Sequence, residues 1–466
     1  MSKSLDKAKE KARQLAQANK LPKARSVLES VSRSAGGDGD FWSLLGLICS
    51  MTSDYEAAEA ALSKAVDLIP GDAALRNNFG TVLKFQDKLD QAQSQYAESL
   101  RLQPGYVGAM VNLGALLVMQ SEFLQAEDCL QQAIVRDPNN AEALNNLGLA
   151  QRGVGKDANA IASFQQALSL APGFIDALVN LGVSCQFLDR LDQAQTCFQN
   201  VLGQYPDHVE ALFNLGFVHN KAGRVVEAEA AFRRVIELSP GHTNAQYYLS
   251  IMGVEDAPEH SPAEYVKDLF DMYAEKFDDH LVKGLGYQTP SLIDRLLRTQ
   301  LDSVEARYDI LDLGCGTGLC GQLCNDLARS MVGVDLSPKM LDKARLLNVY
   351  DELLEQDVVE CLQQRVSSFD VILSGDVFVY IGELSATISA CSDSLRDNGL
   401  LVFSVERASD ADAYVLRESG RYAQSRAYID SLAVDANLKI CTVEDTILRK
   451  ENGKDIHGMV YVMSKG

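Results

Sequence analysis

A chain of 466 residues exceeds what one hydrophobic core organises, so at least two domains are expected. With Lys plus Arg at 43 against Asp plus Glu at 64, the formal net charge of −21 argues against nucleic acid as a partner. No apolar run is long enough to insert in a membrane, and the charged opening "MSKSLDKAKEKARQLAQANK" lacks the apolar region of an export signal. Ten cysteines scattered along such a chain read as reduced thiols, which points to the cytoplasm.

The first half of the chain repeats itself. Gly46, Gly80, Gly114, Gly148, Gly182 and Gly216 fall 34 residues apart, and so do Pro70, Pro104, Pro138, Pro172, Pro206 and Pro240. Ala58, Ala92, Ala126, Ala160, Ala194 and Ala228 keep the interval, each with a large residue four places on, from Leu62 and Tyr96 to Phe232. Small residues belong where two helices touch, and the proline stops the second helix of each pair. A single pair cannot cover its own apolar face, so neighbouring pairs must stack. The period and the residues Trp42, Leu45, Gly46, Ala58, Ala65 and Pro70 match the tetratricopeptide motif. Six repeats cover about 39–242, a degenerate one with Ala12, Ala24 and Leu28 precedes them, and "TNAQYYLSIMG" caps the array; the repeat domain is drawn at 5–253.

Asn78, Asn112, Asn146, Asn180 and Asn214 stand two residues before successive repeat glycines. Asparagine is a poor helix former, so a ladder of five has a purpose. One reading ties adjacent helices together; the other lines a concave groove with amides that can pair with a peptide backbone. Glu142, Asp176 and Glu210 lie one helical turn before three of these asparagines, on the same face. The arrangement resembles the peptide-threading superhelix of O-GlcNAc transferase, which implies a protein or peptide partner, and the acids favour a basic or backbone-exposed one.

"VEDAPEHS" (254–261) reads as a linker, and "SPAE" after it as a capping box with proline at the first helical position. Tyr265, Leu269, Tyr273 and Phe277 recur every four residues, giving an amphipathic helix. The strands that follow are "YDILDLG", "MVGVDLS", "LLEQDVV", "FDVILSGD" and "LLVFSVE", with "LKICTVEDTIL" and "HGMVYVMSK" as a final hairpin. The fold is therefore an α-solenoid followed, over 262–466, by a seven-stranded doubly wound α/β domain of Rossmann-like form.

"DLGCGTGLCG" joins the first strand to a helix, which brings backbone N–H groups to a nucleotide-sized ligand. Read from Gly316 it fits a dinucleotide fingerprint; read from Asp312, through Gly314, Cys315, Gly316 and Gly318, it fits S-adenosylmethionine. A carboxylate at Asp312 would repel a diphosphate and suits a cationic sulfonium compound. Asp335 ends the next strand where it can accept from both ribose hydroxyls, with Leu336 beside it and Met340 placed to pack on adenine. Asp357 and the N–H of Val358 are placed for the adenine edge, and Asp376 closes the fourth strand under the point of methyl transfer.

These residues resemble the class I methyltransferases. "LFDMYAEKFDDHLVKGLGYQTP", "SGDVFVYIGEL", "LLVFSVE" and "ESGRYAQSRAYI" resemble, more narrowly, the bacterial methyltransferases that carry tetratricopeptide repeats. The resemblance implies S-adenosylmethionine as cofactor, with Tyr273 and Phe277 over the sulfonium. Methyl transfer from a sulfonium needs alignment and a deprotonated acceptor, so the pocket candidates are His280, Tyr380, Glu406, Tyr422 and Arg426. Cys315, Cys320 and Cys324 lack the paired spacing of a zinc site, so no metal is expected. The leading expectation is a methyltransferase whose repeats recruit a protein or peptide; the alternatives are a small-molecule methyltransferase that uses the repeats for assembly, and a non-catalytic scaffold. The acceptor and the oligomeric state are not legible.

Overall fold

A computed structural model of the chain describes residues 2–274, 277, 287–301, 307–409, 411–451 and 453–466. Its contacts fall into two compact units, Met1–Pro206 and Asp207–Gly466, so the division lies inside the repeat array. No helix among the described residues is long and apolar enough to cross a membrane.

The first unit is built of helices: α1 (Ser2–Gln17), α2 (Leu21–Glu29), α3 (Gly39–Met51), α4 (Tyr55–Leu68), α5 (Ala73–Phe85) and α6 (Leu89–Leu102). They continue as α7 (Val107–Met119), α8 (Phe123–Arg136), α9 (Ala141–Gly153), α10 (Asp157–Leu170), α11 (Ile175–Phe187) and α12 (Leu191–Gln204). Each odd-numbered helix packs on the next even one. Gly148 in α9 shows why the period needs glycine: a Cβ there would stand 2.5 Å from Cε1 of Phe164 in α10. That ring is fully buried, which stabilises the pair by about 1.5–3 kcal/mol. Asp38, Asp54, Asp72 and Asn140 cap α3, α4, α5 and α9, each accepting the N–H three residues on. Pro70, Pro104, Pro138 and Pro172 stand just past the ends of α4, α6, α8 and α10, where they cannot interrupt a helical hydrogen bond.

The second unit opens with one more helical pair, α13 (Val209–Lys221) and α14 (Val225–Leu238), followed by α15 (Thr243–Ile251), α16 (Ala263–Tyr273) and α17 (Thr289–Arg298). Then come β1 (Tyr308–Leu313), α18 (Leu319–Cys324), β2 (Ala328–Asp335), α19 (Pro338–Leu346), β3 (Glu352–Glu355), α20 (Val358–Gln363) and β4 (Phe369–Ser374). The chain ends with α21 (Ser385–Ser394), β5 (Leu395–Arg407), β6 (Tyr414–Leu416), β7 (Tyr422–Gln424), α22 (Arg426–Asp435), β8 (Leu438–Glu451) and β9 (Lys454–Lys465).

Five strands run parallel in the order β3-β2-β1-β4-β5, with Leu311 beside Val332 on one side and Ile372 on the other. β9 lies antiparallel on β5, and β8 on β9, which is the expected terminal hairpin. Alternation sends Leu311, Leu313, Ile372 and Phe403 to one core and Ile310, Val371, Leu373 and Val402 to another. Both faces are covered by helices, as a doubly wound sheet requires. Among the described residues the sheet has nine strands rather than seven. The two extra ones, β6 and β7, are three-residue segments turned by Gly420 at φ +74 and pairing with the end of β5. Segments that short carry no periodic signal.

The expected capping box is not formed. α16 begins at Ala263 with no side-chain cap, because the Ser261 hydroxyl is engaged with Tyr247 instead.

Candidate functional site

Gly314, Gly316 and Gly318 follow β1 with φ of +59, +54 and +94, a left-handed path open to glycine at little cost. The loop is fastened by Cys315 N–H on the Val334 carbonyl and by Gly318 N–H on the Cys315 carbonyl, at 2.9 and 2.8 Å. Gly316 N–H donates to Asp335 Oδ2 at 2.9 Å, and Ser337 N–H donates to Oδ1 of the same carboxylate at 2.8 Å. Burial pushes the Asp335 carboxyl above its ordinary range, against the pull of those N–H groups. Each oxygen retains a lone pair, so the carboxylate can accept two further hydroxyls.

Gly314, Gly316, Asp335 and Leu336 border a cavity of about 550 Å³. Its far wall comes from the end of β4, through Gly375, Asp376 and Val377. β1 and β4 flank the point where strand order reverses, the place where open α/β sheets bind ligands. Asp357 and Val358 border the cavity beyond β3. Asp357 Oδ1 caps α20, accepting Val359 N–H at 2.8 Å and Glu360 N–H at 3.2 Å. At the floor, Asp376 holds a left-handed φ of +58, unusual for a residue with a side chain. Ser404 accepts its N–H at 2.8 Å and donates to its Oδ1 at 3.0 Å, while Arg449 Nη1 reaches Oδ2 at 3.3 Å. The cavity is thus lined by carboxylates along the strand ends, and its arginines, Arg421 and Arg449, are each engaged with acids. That environment suits a ligand with a hydroxyl-bearing sugar and a cationic centre, and it disfavours a diphosphate.

A family model described as a methyltransferase domain matches residues 311–403, and one described as a tetratricopeptide repeat matches 9–73, 117–173 and 186–243. The chain thus carries tetratricopeptide repeats and a methyltransferase domain. It is similar to the biotin biosynthesis bifunctional protein BioHC of Saccharophagus degradans, 27% identical over 170 residues, which are 34% of this chain and 29% of that one. A ubiquinone biosynthesis O-methyltransferase of Xanthomonas oryzae is 30% identical over 26% of this chain and 53% of its own length. A malonyl-[acyl-carrier protein] O-methyltransferase of Acetivibrio thermocellus is 34% identical over 24% of this chain and 40% of its own. The chain therefore spans about half the length of these relatives or less. Among solved structures, YrrB, titled a TPR protein with an unusual peptide-binding site, is 24% identical with a TM-score of 0.35 over 40% of this chain and 96% of that one. PilW, a type IV pilus biogenesis factor, is 18% identical with a TM-score of 0.43 over 45% of this chain and 98% of that one.

Several expected residues of the methyltransferase domain do not reach the cavity. Asp312 is 1% exposed and accepts from the Tyr350 hydroxyl at 2.7 Å and from Gly321 N–H, behind the glycine loop. The expectation that its carboxylate faces the ligand is therefore corrected. Cys315 is buried with its Sγ under Gly333, Gly318 is closed off by Leu347 and Tyr350, and Met340 is wholly buried. Tyr422 is also buried and donates to the Pro258 carbonyl at 2.6 Å. Arg426 faces outward between Asp430 and Asp445, at 3.7 and 3.8 Å. Phe277 and Tyr380 do border the cavity. Glu406 does not, but it joins the ion-pair network behind it. Tyr273 ends α16, its side chain lies outside the described residues, and so does all of His280.

Among the cavity residues that sequence reasoning missed are Phe270, Arg421 and Arg449. Arg421 donates to the Tyr380 hydroxyl at 3.3 Å and pairs with Glu451 at 3.0 Å.

Asp312 carries a pH prediction. Burial pushes its carboxyl up to about 7 from an ordinary value of 3.8, against the bonds from Tyr350 and Gly321. The folded state then holds a proton that the unfolded state releases, so this group's contribution is full below pH 4 and is lost as pH rises through about 7. Urea unfolding of the unliganded chain at pH 5 and pH 8 should show a stability difference that Asp312→Asn reduces by about 2–4 kcal/mol. An unchanged pH difference in the variant would contradict the assignment.

The asparagine ladder divides into two kinds. In the first unit Asn112 and Asn180 donate to Asn77 and Asn145, one repeat back, at 2.9 and 3.0 Å. Asn78 and Asn146 are half-buried and have no such partner among the described residues, and Glu142 and Asp176 are exposed. In the second unit Asn214 donates to the Glu210 carbonyl at 2.9 Å, and Glu210 is exposed. The helix-tying role thus holds for alternate rungs. Asn77 and Asn145, two repeats apart, were the overlooked signal.

Proposed function

We propose that the chain is an S-adenosylmethionine-dependent methyltransferase whose repeats recruit a protein or peptide, and that the captured partner carries the methyl acceptor. The observation that carries the first part is the half-buried Asp335 carboxylate, held by Gly316 and Ser337 N–H with a lone pair left on each oxygen. Those lone pairs suit the ribose hydroxyls, Asp357 with the Val358 N–H suits adenine, and Phe270 and Phe277 give the cation an aromatic wall. When bound, the cofactor supplies an activated methyl group. This chain's residues bind it, exclude water and fix the acceptor's approach over Asp376. The partner reading rests on the free amides of Asn78 and Asn146 with Glu142 and Asp176 beside the ladder, a face suited to extended, basic peptide.

A second reading follows from the relatives, two of which are named as O-methyltransferases acting in ubiquinone synthesis and on a malonyl carrier protein. On it, the acceptor is a small or carrier-borne oxygen acid and the repeats serve assembly.

The full chain should bind S-adenosylmethionine in a calorimeter and ignore NADH; the reverse would end the proposal. Labelled methyl transfer in a cell extract, compared between the wild type and Asn78→Ala/Asn146→Ala, separates the two acceptor readings. Loss of protein-bound label in the variant supports recruitment. Undiminished label on a small molecule supports the second reading.

A further inference from the structure

The segment expected as a linker is a wall of the cavity. The Glu259 carbonyl accepts N–H from Gly382 and Glu383 at 2.8 and 2.9 Å, and Ser261 N–H donates to the Tyr380 carbonyl at 2.9 Å. His260 completes an isolated antiparallel bridge with Ile381. Glu259, His260 and Ser261 consequently border the cavity, and α16 continues as its cover through Val266 and Phe270. The cover also touches the nucleotide-side loops. Lys267 pairs with Glu355 at 2.6 Å, and Asp271 accepts from the Ser337 hydroxyl at 2.5 Å. Ser337 is the residue whose N–H holds Asp335.

This cover has an electrostatic reason to lift. Asp271, on the Ser337 hydroxyl, brings a second carboxylate close to Asp335, and like charges repel. The counterweight comes from the last repeat helix. Tyr247 in α15 is 1% exposed, with its hydroxyl 3.0 Å from the Gly420 carbonyl and 2.6 Å from Ser261 Oγ. A carbonyl can only accept, so the single phenolic proton goes to Gly420, and the Ser261 hydroxyl donates to Tyr247. One buried oxygen thereby joins α15, the β6–β7 turn and the wall segment. The Tyr247 ring packs edge-on against Tyr265 of α16 at 4.8 Å, and Asn244 reaches Asp268 at 3.4 Å.

We propose that Tyr247 is a positioning residue for the cavity cover, so that the terminal repeat helix holds 259–273 closed over the nucleoside and sets how fast it leaves. The proposal rests on the cofactor reading above. Tyr247→Phe keeps the ring and its packing while removing both hydrogen bonds. Loss of one to two such bonds should raise the open population about 5- to 30-fold.

The test is stopped-flow dissociation of S-adenosylhomocysteine from the full chain. Ile429→Val, a buried change in α22 outside the cavity lining, serves as a stability control. Faster dissociation by about that factor in Tyr247→Phe, with the control at the wild-type rate, is the expected result. Ser261→Ala, which spares the Gly420 bond, should move the rate in the same direction and by less, and it serves if the first variant folds poorly. Wild-type rates in both brace variants, or an equal acceleration in the control, would overturn the proposal. Failure of the wild type to bind S-adenosylhomocysteine would instead refute the cofactor reading at the first step, and this inference with it.

Discussion

Asp335→Ala is expected to weaken S-adenosylmethionine binding at least about a hundredfold, because it removes several interactions at once. The side chain accepts N–H from Gly316 and Ser337 on its two oxygens, and Gly316 borders the cavity. Without an acceptor, each donor costs roughly 1–3 kcal/mol if it stays dry. The Gly316 loop, already left-handed at φ +54, then loses the bond that fastens it to the end of β2. The two contacts proposed for the ribose hydroxyls disappear as well. Asp335→Asn is the sharper variant. Its amide oxygen can accept one N–H, but the NH2 group must face the other donor, so roughly tenfold weakening should remain. Titration calorimetry reads both. Affinity unchanged in Asp335→Ala would mean the ligand does not use this carboxylate.

The parts that were legible share a physical cause: they repeat, or they sit at strand ends. The 34-residue spacing of glycine, alanine and proline gives the helical pairs because each class answers to one contact, as Gly148 against Phe164 illustrates. Asp335, Asp357 and Asp376 border the cavity because the carboxyl ends of parallel strands all point the same way. Asp312 misled for a related reason. It lies within β1 and not past its end, and the side of a strand on which a residue falls is decided by register. Here that side holds Tyr350 and the α18 backbone, where the carboxyl is locked into the fold. The rest of the cavity wall was illegible because it is assembled from remote pieces. Arg421 follows a short hairpin turn, Arg449 sits on β8, and Ser261 belongs to a stretch whose prolines and acids look like a tether. None of these has a local pattern; only the sheet brings them together.

Arg449→Leu is expected to destabilise the second unit by about 3–5 kcal/mol and to lower its unfolding midpoint by roughly 10 °C. Arg449 and Glu406 are 2% and 1% exposed and form a close ion pair between β8 and β5. Arg449 also reaches Asp376 at 3.3 Å and Glu451 at 3.5 Å. Glu406 has a second cation in Arg417 at 2.9 Å. Leucine matches the arginine stem but leaves Glu406 half-paired, and an uncompensated buried charge outweighs the apolar gain. Adding Glu406→Leu should recover part of the loss, because it removes the stranded carboxylate; a double-mutant cycle would give that coupling directly. Function should respond separately. Asp376 keeps only Ser404 in the variant, at a backbone angle that already costs of order 1–3 kcal/mol to hold. The cavity floor should therefore loosen beneath the acceptor while the Gly316–Asp335 end stays intact. Cofactor affinity measured well below the midpoint should remain within a few-fold of wild type, with methyl transfer reduced by more. Equal loss of both would place Arg449 in the support of the whole domain and not of its floor.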